Sequence, residues 1–411
     1  MKAVINIATE EHTQAKSESV SLSYLFFTFF KIGMVSFGGH MALVSVVQRI
    51  LVERDKVIDN EQVLSSVGIA SLLPGPLAVN VVGQLGYQLR KGRGAVASTV
   101  GIILPAFILM LVLSWAYFSQ RAFFSSTGIL SYVTGTVCAV ILATGFQLFK
   151  KELLGNNTKL IIFGVALATL IYSANYIVSI LILIAGGIAG VLLQLQQKEA
   201  QNDNSIEKGN ISLLEKIALG LLAINQVIFF TNNTRNISNG TLKLILIFAG
   251  ISLSLFGGGY VMIPIMQSLF VNELHWLTGK EFIDAIAFSQ ATPGPILISA
   301  TFIGYKAAGF AGALIATVAI FAPAVFLSVV VNTFINNHQA NKTVKNLLAG
   351  VKTVVVALII SSAWKLMAGQ HIDWLFCSIL AISFILNFKY KVSPVYLVLG
   401  AILAGTLINF I

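Results

Sequence analysis

The chain has 411 residues, of which 56% are hydrophobic and only 10% charged, with a mean hydropathy of +0.87 and a formal net charge of +10. A soluble chain carries about 25% charged residues, so a large water-soluble domain is excluded. The Lys and Arg residues lie in short segments between apolar runs, which is the bias that orients membrane proteins, and no nucleic-acid partner is expected.

Residues 1–19 are polar and are expected to form a cytoplasmic N-terminal segment. No short apolar stretch with a small-residue cleavage site precedes Leu22, so no removable signal peptide is expected. The first apolar run leads into Phe37-Gly38-Gly39. Glycine lets backbones approach closely in a membrane, so this motif either packs the first helix tightly or contacts a substrate. After the polar stretch Glu53–Glu61 comes Pro74-Gly75-Pro76, flanked by Gln62–Leu73 and Leu77–Leu89. As helices these pieces are each about 18–20 Å long, too short for a hydrocarbon core about 30 Å thick. The prolines break the helix, giving either one interrupted span or a re-entrant hairpin. A basic segment, 88–94, follows with Arg90, Lys91 and Arg93, then apolar runs near 94–118, 130–149, 159–174 and 176–194. Residues 195–239 read as a linker with one connecting crossing at Ile217–Phe230. Further runs lie near 309–333, 347–368, 372–388 and 393–411. Cys138 and Cys377 stand alone in apolar runs, so neither a disulfide nor a metal site is expected.

Landmarks recur at a fixed distance. Phe37-Gly38-Gly39 returns 219 positions later as Phe256-Gly257-Gly258, and Pro74-Gly75-Pro76 as Pro293-Gly294-Pro295. Gly86-Tyr87, Gly94-Ala95 and Pro105-Ala106 return 218 positions later. The chain reads as a duplication of about 20–194 and 240–411. Segment 88–94 is richer in Lys and Arg than 119–129, which has only Arg121. In the second half 336–346, with Lys342 and Lys345, outweighs 306–311, with Lys306 alone. The basic segments are not repeat equivalents, so the positive-inside rule makes the halves inverted. The expected fold is an all-α polytopic transmembrane bundle of two inverted-topology repeats, each with a Pro-Gly-Pro broken or re-entrant helix. About 13 crossings are expected, six in each half and one between.

A proline-broken helix exposes the amides that open its second piece, and these donors with the helix dipole favour an anion. Pro76 and Pro295 suit the first position of those second pieces. The expected substrate-binding groups are Pro74, Gly75, Pro76, Asn80, Gln290, Thr292, Pro293, Gly294 and Pro295, with the two Phe-Gly-Gly motifs alongside. Gln84, Ser289, Ser299 and Thr301 are polar neighbours. Asp284 and His40 are the candidates for carrying a coupling proton. Arg49, Arg54, Arg90 and Lys306 either draw anions towards the site or serve only to set topology. No His-Glu-x-x-His, Gly-Lys-Ser/Thr or Gly-x-Ser-x-Gly motif is present, so neither an enzyme nor a cofactor is expected.

Together these landmarks resemble the chromate ion transporter family in its long, two-domain form. They run from Ser36–Gly39 through Leu73–Asn80 and Gly86–Arg90. In the second half they are Phe256–Tyr260, Pro264, Trp276-Leu277-Thr278, Glu281-Phe282 and Gln290–Pro295. His40 stands where many members have proline. The resemblance implies a multi-pass inner-membrane protein that exports chromate, coupled to the proton gradient, with sulfate as the look-alike anion and a homodimer as a candidate assembly. Its rivals are a permease for sulfate or another divalent oxyanion, and a membrane scaffold subunit that transports nothing.

Overall fold

Caps written in the sequence start several of the helices. The Ser21 side chain accepts from the Tyr24 amide and opens α1 (Leu22–Val35). Asp59 and Gln62 form a capping box that opens α3 (Asn60–Leu72), and Thr278 and Glu281 form another that opens α10 (Gly279–Ala291). The two boxes are again 219 positions apart. The computed structural model describes residues 20–36, 40–120, 129–172, 176–193, 240–254, 259–334, 342–368 and 373–410, and all their regular structure is helical.

Between α1 and α3 lies α2 (His40–Val47), which winds on into a π-helical turn, Gln48–Arg54. Then come α4 (Leu77–Ser119), α5 (Ile129–Glu152), α6 (Asn157–Tyr172) and α7 (Tyr176–Leu192). The second half repeats the order with α8 (Gly240–Ser254), α9 (Met262–Gln267) and its π-helical turn Ser268–Glu273, then α10 and α11 (Ser299–Phe334). It closes with α12 (Lys342–Ala368), α13 (Trp374–Phe388) and α14 (Pro394–Phe410). The connecting segment Ile217–Phe230 lies outside the described residues.

Among the described residues, four stretches are long and apolar enough to cross a membrane: Leu77–Ser119, Tyr132–Glu152, Ile296–Val331 and Asn346–Ala368. Six further apolar helices have 10–17 residues, fewer than the roughly 20 of a perpendicular crossing. Large apolar side chains such as Val112, Trp115, Ile161, Val165, Phe310 and Phe326 face outwards, as a lipid surround requires.

Neither α4 nor α11 is a straight rod. Arg90 and Lys91 leave helical geometry, Lys91 with φ 51° and ψ −146°. Beyond them the chain reverses, and Ser98 Oγ lies 3.1 Å from the Val82 carbonyl oxygen. On a straight helix those residues would be about 24 Å apart. A Cβ on Gly94 would fall 2.1 Å from the Gly86 carbonyl oxygen, so only glycine permits this contact. In α11 the same reversal occurs at Ala308 and Gly309 (φ 60°, ψ −146°), and Thr301 and Thr317 share a 2.7 Å hydrogen bond across it. The basic segment 88–94 is therefore a two-residue reversal between helices and not an extended loop.

α4 packs on α11, with α1 against α4 and α8 against α11. The remaining helices are exchanged between halves. α5 of the first half holds α13 and α14 of the second, while α12 of the second holds α6 and α7 of the first.

Candidate functional site

Each Pro-Gly-Pro turns the chain back on itself. Gln88 Nε2 donates to Ser66 Oγ at 3.2 Å across the first break, although a straight path between these residues would be about 30 Å. Across the second break Lys306 Nζ meets Glu281 Oε1 at 2.8 Å. The turning residue is glycine in both cases, Gly75 at φ 111° and Gly294 at φ 117°, where side chains are strained. Pro76 and Pro295 keep extended backbone and cap the next helical segment. They sit one residue before the first helical position expected for them, because their ψ of 104° and 139° has not yet turned helical.

The breaks face the opposite halves. A Cβ on Gly75 would lie 2.2 Å from Ala324 Cβ of α11, and one on Gly294 would lie 3.0 Å from Ala106 Cβ of α4. The Gly294 amide donates to the Ser36 carbonyl at 3.2 Å, which ties the second break to the residue just before Phe37-Gly38-Gly39. Both Phe-Gly-Gly motifs, Phe37, Gly38, Gly39 and Phe256, Gly257, Gly258, lie outside the described residues, as does the side chain of His40.

Among the polar side chains, Asn80 and Gln84 differ in use. Asn80 Nδ2 donates to the Pro74 carbonyl at 2.9 Å. Expected as a ligand group, it braces the break through this bond, and its Oδ1 has no partner among the described residues. Gln84 is fully buried, yet neither atom of its amide has a partner among the described residues, and the same holds for buried Gln290. Thr292 Oγ1 and Ser289 Oγ donate to backbone carbonyls one turn back, and Thr301 is spent on the α11 reversal. An unsatisfied buried amide costs about 1–3 kcal/mol.

Asp284 of α10 is fully buried, and its Oδ2 accepts from the Tyr117 hydroxyl of α4 at 2.6 Å. Tyr117 sits edge-on to Phe118, Phe288 and Phe302. Sequence reasoning missed it, since nothing in the sequence joins 117 to 284. Two of the charges expected to draw anions inwards are engaged. Lys306 pairs with Glu281 and lies over the Phe118 ring, and Arg54 pairs with Asp55 at 2.6 Å. Arg54, with help from the Tyr24 hydroxyl, holds the Asp55 carboxyl below the usual carboxylate range. Among the described residues no group of His, Cys, Asp and Glu side chains is placed to hold a metal ion.

Residues 23–191 and 242–406 match the chromate transporter family, one stretch in each half. The chain belongs to this family. It is 30% identical to a chromate transport protein of Pseudomonas aeruginosa, over 98% of this chain and 96% of that one. It is 26% identical to an uncharacterized transporter of Methanocaldococcus jannaschii, over 98% of both chains. A shorter uncharacterized transporter of Bacillus subtilis, 30% identical, aligns with 37% of this chain over 88% of its own length. No solved structure matches. Both breaks, Gln84, Gln290, Tyr117 and Asp284 fall within the family-matched stretches.

Proposed function

We infer that this membrane transporter exports chromate across the cytoplasmic membrane, coupled to the proton gradient, through a site at its two Pro-Gly-Pro breaks. The observation that carries the reading is a pair of buried carboxamides without partners among the described residues, Gln290 three positions before Pro293 and Gln84 eight positions after Pro76. Chromate is a tetrahedral dianion whose oxygens only accept hydrogen bonds. Carboxamide N–H groups, and the amides that precede the first intrahelical bonds after Pro76 and Pro295, donate to it without trapping it as a buried cation would. The chromate transport protein of P. aeruginosa supports the choice of anion.

Inverted halves and re-entrant hairpins complete the proposal. Hairpins too short to span fit backbone that is tolerated at membrane depth because protein surrounds it. Matching backbone at matching offsets supports the duplication. Lys56 and His275, 219 positions apart and chemically unlike, have φ of 52° and 51°. The Lys and Arg asymmetry supports the inversion. A symmetric pair of broken elements facing one another is the arrangement on which alternating access is built.

The test is uptake of labelled chromate and labelled sulfate into inverted membrane vesicles, with and without a proton gradient. Gradient-dependent chromate accumulation, weakly inhibited by sulfate, is the expected result. Sulfate movement without chromate preference would shift the function to a general oxyanion permease. Movement of neither anion by the inserted protein would leave a scaffold.

A further inference from the structure

The sense of proton coupling is left open by the export reading, and the surroundings of Asp284 bear on it. Its carboxyl is fully buried, with one hydrogen bond, from Tyr117, and an Oδ1 that has no partner among the described residues. Among the described residues no cation forms an ion pair with it. Lys280 is exposed at the start of α10, and Glu281 is held by Lys306. The elements packed on α10 bring none either. From α4 comes Tyr117, the helix's other titratable groups, Tyr87, Arg90, Lys91 and Arg93, lying around its reversal, and α9 has no titratable residue. The α11 groups are Lys306, already paired, and Tyr305, stacked on Phe118. In α5 the titratable groups are partly buried Tyr132, buried Cys138 and, at the C-terminal end, Lys150, Lys151 and Glu152, with Lys150 lying over the Phe388 ring. From α14 comes only Tyr396, which is exposed.

Asp284 lies six positions before Gln290 and nine before Pro293, about 9–13 Å along the helix. An ionised carboxylate at that distance from a dianion, in a medium of effective dielectric about 20, weakens binding on the order of 100-fold. A proton on Oδ1 removes the repulsion and ends the burial of an unpaired charge.

We propose that Asp284 takes up a proton when the dianion binds from the cytoplasm, releases it outside when the dianion leaves and returns ionised, so that one proton travels with each chromate instead of against it. This rests on the export reading above. Two negative charges then leave with one positive charge, and each cycle carries one net negative charge outwards. An inside-negative membrane potential favours that movement. The electrical part of the gradient drives export, and the pH difference opposes it. Tyr117 is a positioning residue, reaching from the first half to fix the carboxyl of the second.

The experiment uses the full chain in liposomes with a pH-sensitive dye trapped inside and labelled chromate outside. The medium is alkaline enough that chromate itself carries no proton, and an imposed inside-positive potential draws the anion in. Acidification of the lumen, with about one proton per chromate, is the expected result. Chromate entry with an alkaline shift, or with no shift, would overturn the proposal. Absence of chromate entry, read from the tracer alone, would instead remove the export reading and this proposal with it. Binding of labelled chromate to purified protein gives a second test. Wild-type affinity should fall as pH rises, by up to about tenfold per pH unit towards the 100-fold limit. In Asp284→Asn the affinity should stay flat. A variant that binds chromate with the wild-type pH profile would also overturn the proposal, and if it does not fold, the dye measurement on the wild type still decides.

Discussion

Gln84 and Gln290 are paid for in stability. Leucine has nearly the same volume as glutamine and asks for no hydrogen bond. Gln84→Leu and Gln290→Leu should each raise stability by about 1–3 kcal/mol, read as thermal unfolding in detergent, while lowering chromate transport at least tenfold. A destabilised variant would mean that the amides have partners after all. The two turning glycines should not respond alike. Alanine at Gly75 meets Ala324 at 2.2 Å and the Asn80 amide at 2.9 Å, whereas at Gly294 it meets only Ala106 at 3.0 Å. Gly75→Ala should cost more than about 3 kcal/mol and Gly294→Ala about 1–2, as the same unfolding measurement would show. At this scale the sequence disclosed residue types but not their use. Asn80 and Gln84 are both amides four residues apart, and only the fold shows that one braces the break while the other is unpartnered. For Lys306 the sequence left open whether it draws anions or sets topology, because its pairing with Glu281, 25 positions away, depends on the chain reversal at the break.

Elements were legible where proline and glycine punctuate them, as at Pro74-Gly75-Pro76 and Pro293-Gly294-Pro295, whereas the caps that open α1, α3 and α10 went unread. The reversal inside α4 was not legible either, because its left-handed position is occupied by lysine. The equivalent in α11 is Gly309, with nearly the same φ and ψ. A lysine at φ 51° and ψ −146° is strained by about 1–3 kcal/mol. Lys91→Gly should therefore stabilise the protein by about 1 kcal/mol once the greater freedom of unfolded glycine is subtracted. Thermal unfolding beside the wild type checks this, and a loss of stability would argue that the Lys91 side chain, which reaches over the Tyr87 ring, matters more than its strain.

At the scale of the whole molecule, the sequence announced two copies but not that they are interlaced. Residue patterns show that a helix has an apolar face, yet not which helix covers it. So the docking of α12 on α6 and α7, and of α5 on α13 and α14, had no signal. Neither half can complete its own packing. Expressed alone, residues 1–194 or 240–411 should be degraded or aggregate. Expressed together as separate chains, they should copurify and restore chromate transport in part. A half that is monomeric and stable by itself would contradict the exchange. The same exchange sets a timetable for biogenesis. α6 and α7 leave the ribosome long before α12 exists, since about 150 residues separate Leu192 from Lys342. Their binding face must wait unfilled in the lipid, exposed to membrane proteases and to stray helices, until synthesis is nearly finished. A slow stretch of translation or an insertase that shelters those helices would then raise the yield of this protein more than any single stabilising substitution.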